Sequence, residues 1–407
     1  MLRTALENLK VVDFTQIGAG PTCSMLLADM GARVIKVEAP EGELGRTLGP
    51  PWIGDDSALF HAFNRNKLGL CLDLKAPEGM AVARTLIAQA DVVIESMRPG
   101  VMERLGLGYA QLAVDHPRLV YCSISAYGQN GPYADRAGVD GILQADSGLM
   151  SLIGSPGAEP GKVQAPVVDV VTGYVACVGV LAQLQQRTQS GQGGYLDVNL
   201  MNAALALQQS SFTSYLSDGE LPQRMGSAAP YSAPNEAFET ADGWIMVAAY
   251  NGGRWDRLCE ALALPQLIGD ERFASSPLRV VHRGAMRDVL AGAFRARSTD
   301  HWLAELNAAD ILCARVADYG DVERHPQVAA NQMIATLDDP AAGAVRTPGF
   351  PINSAETNRL PHAPAPRRGQ HTREILAAAG YDAMHIERLL AERVVSSEEA
   401  RIANMPG

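Results

Sequence analysis

The sequence has no CxxC pair, no HxxH or HExxH spacing and no uninterrupted apolar run of 18 residues. Six cysteines scattered singly (Cys23, Cys71, Cys122, Cys177, Cys259 and Cys313) offer neither a disulfide framework nor a cysteine zinc site. Five of them stand in apolar runs, which predicts buried free thiols in a reducing compartment. Eight histidines without ligand spacing predict no metal site. With no long apolar run and no leader pattern, neither membrane spanning nor export is expected, and a cytoplasmic location follows. An excess of positive charge is missing too. Lys and Arg number 34 against 45 Asp and Glu, a net charge of −11, which speaks against nucleic acid or an anionic membrane as partner. An anionic small molecule remains open, provided that the basic residues holding it are local.

What is present is a globular composition, 47% hydrophobic and 19% charged, with core enough for one large domain and a smaller one. Short apolar strands alternate with helices from Lys10 to Leu200. Strands are predicted at Lys10–Phe14, Arg33–Glu38, 91–96, 119–125 and 195–200, with another inside 63–79. Helices are predicted at 22–30, from Pro77 onward, after residue 127, and at 170–184. That alternation predicts a Rossmann-like, doubly wound, largely parallel sheet over residues 1–218. After a helix at 202–216 the pattern changes. An Asp242-Gly243 turn joins two strand-like runs. Helices at 255–263 and 279–296, a helix capped at Ser298–Asp300 and a strand at 311–316 complete a smaller α+β domain, 219–335. Residues 336–407 read as an extended proline-rich strap (348–368), helices at 372–379 and 383–394 that return to the first domain, and a frayed tail, SSEEARIANMPG.

Three stretches carry chemistry. The loop TQIGAGP between the first strand and helix has the glycine-rich geometry that holds anions at a helix N-terminus. Gly18 and Gly20 fit a dinucleotide fingerprint with Glu38 near its ribose position, but Cys23 replaces the third glycine and Pro21 opens the helix. A Rossmann-like start without nicotinamide fits better. In MRPGVMERLGLGY, Arg98 and Arg104 bracket a turn at the C-terminal end of a strand, the edge where ligands gather in open α/β sheets. The long loop 41–58 is too long for a mere connection. Asp169 is a lone carboxylate between Val167-Val168 and Val170-Val171, at the start of a helix that is apolar almost all the way round, with small residues at Gly173, Ala176, Gly179 and Ala182. It reads either as an N-cap or as a catalytic carboxylate whose partial desolvation raises its pKa; a helix N-terminus accommodates both.

In VVDFTQIGAGP, FNRNK followed by LDLK, PGVMERLGLGY, YGQNGPY, the Asp169 helix with TQSGQGGYLDV, and RRGQHTREILAAAGY, the chain resembles the family III CoA-transferases. That group includes formyl-CoA, carnitine and itaconate-type enzymes and, as a branch, the α-methylacyl-CoA racemases. The resemblance covers nearly the whole chain. It implies that Asp169 is the catalytic aspartate. It also implies that Gly18, Ala19, Leu72 to Lys75, Ser96, Met97, Arg98, Arg104, and Arg136, Ala137 and Val139 line the CoA site, with Arg98 and Arg104 on its phosphates. An interlocked homodimer is implied as well, with acyl-CoA as substrate and no tightly bound cofactor. Departures bear on the reaction. Val139 stands where the racemase branch carries a histidine, and valine cannot move a proton, so transfer is favoured over racemisation. Gly18 stands where formyl-transferring members place glutamine, and Gly252-Gly253 is a shortened counterpart of their glycine run.

The expected activity is transfer of CoA from an acyl-CoA such as succinyl-CoA to a short carboxylic or dicarboxylic acid, through aspartyl anhydride and thioester intermediates on Asp169. The alternative is an acyl-CoA racemase or epimerase of the same superfamily. Backbone N–H groups at the start of the Asp169 helix and at Gly252-Gly253 are expected to stabilise the oxyanions. Gln16 and Asp140 are candidates for orienting the acyl group.

Overall fold

Strands β1 (Lys10–Phe14), β2 (Arg33–Glu38), β3 (Leu68–Leu72), β4 (Val92–Glu95), β5 (Val120–Ser125) and β6 (Gly194–Asn199) lie parallel in the spatial order β3-β2-β1-β4-β5-β6. They are rich in Val, Ile and Leu because helices cover both faces of such a sheet. The strand order reverses between β1 and β4, and at that switch point a crevice opens above the C-terminal strand ends. The computed structural model describes residues 2–353 and 363–398. Met1–Leu149, Val163–Asp218 and Pro326–Gly407 form one unit; Met150–Lys162 and Gly219–His325 form another.

Three helices of the first unit position the site. Helix α1 (Ala19–Asp29) is buried along its whole length. It starts three residues before the predicted position, with Pro21 in the first turn, where a missing N–H leaves no helical bond unmade. Helix α2 (Asp140–Asp146) follows the loop after β5. Helix α3 (Val167–Ser190) ends at Gly191, whose φ of 72° supplies the left-handed cap that its sequence position predicts. Where α1 crosses α3, a Cβ on Gly173 would lie 2.5 Å from Thr22 Cβ and 2.7 Å from the Ala19 carbonyl oxygen. The crossing therefore requires glycine there.

The apolar character of α3 on nearly every side does not make it buried on every side. Val168, Asp169, Thr172, Gly173, Ala176, Cys177, Val180 and Leu184 are buried. Tyr174, Val175 and Val178 on the other face are 42%, 43% and 67% exposed. By length and composition alone, α3 is also sufficient to cross a bilayer; counting uninterrupted apolar runs did not single it out.

The C-terminal helices Thr372–Ala378 and Ala383–Ala391 belong to the first unit. There Ile375, Leu376, Ile386 and Leu389 share a core with Val12, Leu70, Val82 and Ile87. The tail differs from expectation: Val395 and Ser396 pair antiparallel with Leu72 and Cys71, adding an edge strand beside β3. A hairpin, Ile334–Asp339 with Gly343–Pro348, was not anticipated and joins the first unit, so the second ends at His325 rather than at 335. Of the expected strap, residues 354–362 lie outside the described residues, as does the tail beyond 398.

In the second unit Asn235–Glu239, Trp244–Ala248 and Leu312–Arg315 make an antiparallel sheet with Trp244–Ala248 central. Its core is aromatic, built on Phe238, Trp255, Phe273, Phe294 and Trp302. Ser298 caps the helix Thr299–Ala308 as expected. The predicted 279–296 helix is broken at His282 into Ser276–Val281 and Arg283–Phe294.

Candidate active site

Asp169 is the third residue of α3, and Pro166 occupies the cap position without a side-chain bond. The cap comes from elsewhere. Asp140 Oδ2 accepts the N–H groups of Val168 (2.8 Å) and Asp169 (3.2 Å), while its Oδ1 accepts from Gln144 Nε2 at 2.6 Å. The Val167 N–H donates to the Ala165 carbonyl at 2.7 Å. All three amides at the start of α3 are therefore engaged, which corrects the expectation that they stabilise an oxyanion. Asp140, expected to orient the acyl group, has both carboxylate oxygens bonded to this chain and positions the N-terminus of α3.

The Asp169 carboxylate is thus left with a negative neighbour and no donor among the described residues. Its residue is 8% exposed. Burial first, and the charge of Asp140 second, push its pKa up from 3.8 to about 7. A carboxylate so poorly solvated is a better nucleophile when ionised than one in water, because no hydration shell must be stripped from it.

Asp169 faces a cavity of about 190 Å³ above the ends of β1, β4 and β5, which it shares with Gln16, Gly18, Ala19, Ser96 and Val139. The fold thus brings six of the sequence-predicted residues together. Among the described residues lining this cavity, Asp169 alone has an acidic or basic side chain. Gly18 ends the loop with its Cα against the carboxylate: a Cβ there would lie 2.4 Å from Asp169 Oδ2. Helix α1 has no side-chain cap, and its first residues Ala19 and Gly20 line the cavity, a position where a helix N-terminus favours anions. A second cavity, of about 230 Å³, lies beside the first and contains Leu72, Lys75 and Met97. Gln16 lines both.

Other predicted residues are not among those lining the two cavities. Arg98, Arg104, Arg136 and Ala137 are exposed and line neither cavity. The Arg136 guanidinium lies 3.7 Å over the Tyr133 ring. Gly252 and Gly253 open the helix Gly252–Ala261 of the second unit, capped by Asn251.

Sequence reasoning missed the buried charges behind the loop. Asp13 and Lys36, register partners on β1 and β2, are both fully buried. Burial would raise the Asp13 carboxyl, but Lys67, Lys36 and the hydroxyls of Ser24 and Thr15 outweigh it and hold the pKa at about 2. Burial pulls Lys36 down, yet Glu43, Asp13 and Glu38 more than restore its charge. Glu38 and Arg46 form a two-pronged pair at 2.7 Å on each prong. The available signal was a charge flanked by apolar residues inside each of two strands, VVDF within β1 and VIKV within β2.

The chain is similar over most of its length to known proteins. The profile of CoA-transferase family III matches residues 6–372. A mouse succinyl-CoA:glutarate CoA-transferase is 34% identical over 97% of this chain and 91% of its own length. A succinyl-CoA:mesaconate CoA-transferase from Haloarcula hispanica is 36% identical over 92% and 96%. A crystal structure of a CaiB/BaiF family protein from Brucella suis superposes with a TM-score of 0.82 at 34% identity, covering 92% of this chain and 98% of that one.

Proposed function

The chain belongs to CoA-transferase family III, and on that premise we propose that it carries CoA from succinyl-CoA to a short carboxylic or dicarboxylic acid through covalent intermediates on Asp169. The observation that carries the reading is a buried carboxylate, without hydrogen-bond donors among the described residues, at the wall of a cavity beside a second one that shares Gln16. The second cavity offers a pantetheine arm apolar walls at Phe14, Val37, Leu72, Leu74 and Met97 and one cation at Lys75, beside the carboxylates of Glu38, Glu41, Glu43 and Asp73.

In the first step an Asp169 oxygen attacks the thioester carbonyl. The C–S bond breaks, CoA leaves as thiolate, and a mixed anhydride joins Asp169 to the donor acyl group. The thiolate then attacks the aspartyl carbonyl, the donor acid leaves as carboxylate, and Asp169 carries CoA as a thioester. The acceptor carboxylate attacks that thioester, releasing thiolate again. The thiolate takes the acceptor acyl group and Asp169 is regenerated. Each tetrahedral oxyanion has uncapped amides of Gly18, Ala19 and Gly20 within the same cavity as stabilising groups; one such donor is worth ~3 kcal/mol.

Racemisation is the poorer reading. Exchanging the configuration of an α-carbon needs a second acid–base group, and Val139 stands on the cavity wall where that branch has histidine. We further infer a homodimer built on the exposed apolar face of α3, since contiguous apolar surface of this kind marks a partner site.

Incubation with succinyl-CoA followed by hydroxylamine and digestion tests the chemistry. The expected adduct lies on the peptide holding Asp169, and Asp169→Ala abolishes transfer while CoA still binds. An adduct elsewhere, or transfer by Asp169→Ala near the wild-type rate, ends the proposal.

A further inference from the structure

The loop from β1 to α1 is held at successive backbone groups by side chains of other segments. The Thr15 amide and hydroxyl donate to Asp13 Oδ1 at 2.8 and 2.5 Å. The Thr15 carbonyl accepts from Lys36 Nζ at 3.0 Å. The Gln16 amide donates to Ser96 Oγ at 3.1 Å, and the Ile17 amide to Glu43 Oε2 at 2.8 Å. Ile17 has a φ of 69°, a left-handed conformation that a β-branched residue adopts only where its surroundings impose it. The residue it delivers next is Gly18, whose main chain abuts the Asp169 carboxylate.

Glu43 is 6% exposed. Its Oε1 stands 3.2 Å from Lys36 Nζ, and its amide donates to Glu38 Oε2 at 3.0 Å. Burying such an ion pair adds little stability over apolar side chains of the same shape, so stability alone is a weak reason for it. Its position says more. Glu43 lines the second cavity while Ile17, bonded to it, lines the first.

We infer that Glu43, backed by Lys36, is a positioning residue for Asp169: its bond to the Ile17 amide fixes the left-handed turn and so sets Gly18 against the carboxylate. The inference rests on the reading of Asp169 as the nucleophile. A misplacement of about 1 Å in such an arrangement costs ~10²-fold in rate.

The test compares Glu43→Ala with Glu43→Gln in the full chain. Glutamine keeps an oxygen at the Ile17 amide and loses the charge; alanine loses both. Glu43→Ala is expected to acylate Asp169 from saturating succinyl-CoA ~10²-fold more slowly, and its Ile17 amide to exchange faster with deuterium. Glu43→Gln is expected to keep both the rate and the protection. Equal loss of rate in the two variants overturns the inference, because charge rather than the bond would then be at work. Wild-type rate per folded molecule in Glu43→Ala, with only a lower melting temperature, overturns it as well. If the wild-type chain forms no Asp169 adduct, the transferase reading fails on its own. Amide exchange then decides the clamp: protection lost with alanine and kept with glutamine supports it, and protection unchanged in both removes it.

Discussion

A carbon added to Gly18 would stand 2.4 Å from Oδ2 of Asp169 and 2.9 Å from its Cγ. The main chain of one residue is the surface on which the other's carboxylate rests. The carboxylate occupies room that a side chain at this position would otherwise claim. The φ of −126° and ψ of −69° at Gly18 lie outside the regular α and β regions, and the carbon that alanine adds meets the Asp169 side chain, so Gly18→Ala is expected to turn the carboxylate away. Its kcat/KM per folded molecule falls ~10²-fold. Wild-type activity in that variant would mean that the carboxylate works from another rotamer.

The pH–rate profile follows from the raised pKa. Asp169 must be ionised to attack, and burial and Asp140 hold it protonated up to about 7. The kcat/KM for succinyl-CoA is therefore expected to rise through about pH 7 and then level, since that parameter reports the free enzyme. Asp140→Asn keeps an oxygen for the Val168 and Asp169 amides and removes the negative charge, so the rising limb moves to lower pH. A limb that stays in place would leave burial as the sole cause of the shift.

The alternation of short apolar strands with helices made the parallel sheet legible, because strands buried on both faces must be apolar throughout. Asp169 was legible through its contrast with four flanking valines. The supports of Asp169 were not. Asp140 caps α3 from 29 residues away in sequence, and no local pattern announces a cap of that kind. Glu43 lies in a loop whose composition reads as solvent-facing, yet the Ile17 amide and Lys36 draw it inside. Arg98 and Arg104, which the family resemblance puts on the CoA phosphates, are exposed and line neither cavity. The edge strand at Val395–Ser396 is two residues long, too short for any periodicity to register.

The same raised pKa predicts a cost in stability. In the unfolded chain Asp169 ionises near pH 4, whereas in the fold it keeps its proton to about 7. Across that window the folded state binds one proton more, so stability falls as pH rises from 4 to 7. At 1.36 kcal/mol per pKa unit the ceiling is ~4 kcal/mol. Asp169→Asn removes the ionisation and is expected to be more stable than wild type to urea at pH 8, with the advantage shrinking toward pH 4. A variant no more stable than wild type at pH 8 would show that Asp169 is solvated in the fold.

Two glycines of α3 should respond in opposite directions. At Gly173 a methyl group meets Thr22 Cβ at 2.5 Å and the Ala19 carbonyl oxygen at 2.7 Å. Gly173→Ala is therefore expected to force α1 and α3 apart at ~1–3 kcal/mol. At Gly179 the nearest atom is Leu196 Cδ1 at 3.5 Å, an ordinary contact. Gly179→Ala should gain ~0.5–1 kcal/mol from the lower backbone entropy of the unfolded chain. Urea melts of the two variants decide this, and equal effects would mean that the helix crossing is looser than the geometry requires.

The apolar face of α3 makes a prediction about assembly. Tyr174, Val175 and Val178 stand exposed on one side of a helix whose other side is packed on α1, and Val178 is the most exposed of them at 67%. A lone chain gains nothing from valine there, since surface substitutions away from packed features change stability within ~0.5 kcal/mol. A dimer that buries this face would have to desolvate a charge placed at its centre. Val178→Glu is thus expected to leave the melting profile of dilute protein intact and to convert the dimer to monomer in sedimentation velocity. If wild type and variant sediment alike as dimers, the interface lies on another surface. If Val178→Glu unfolds instead, Val178→Ser separates the two effects, because a small neutral side chain weakens the contact without burying a charge.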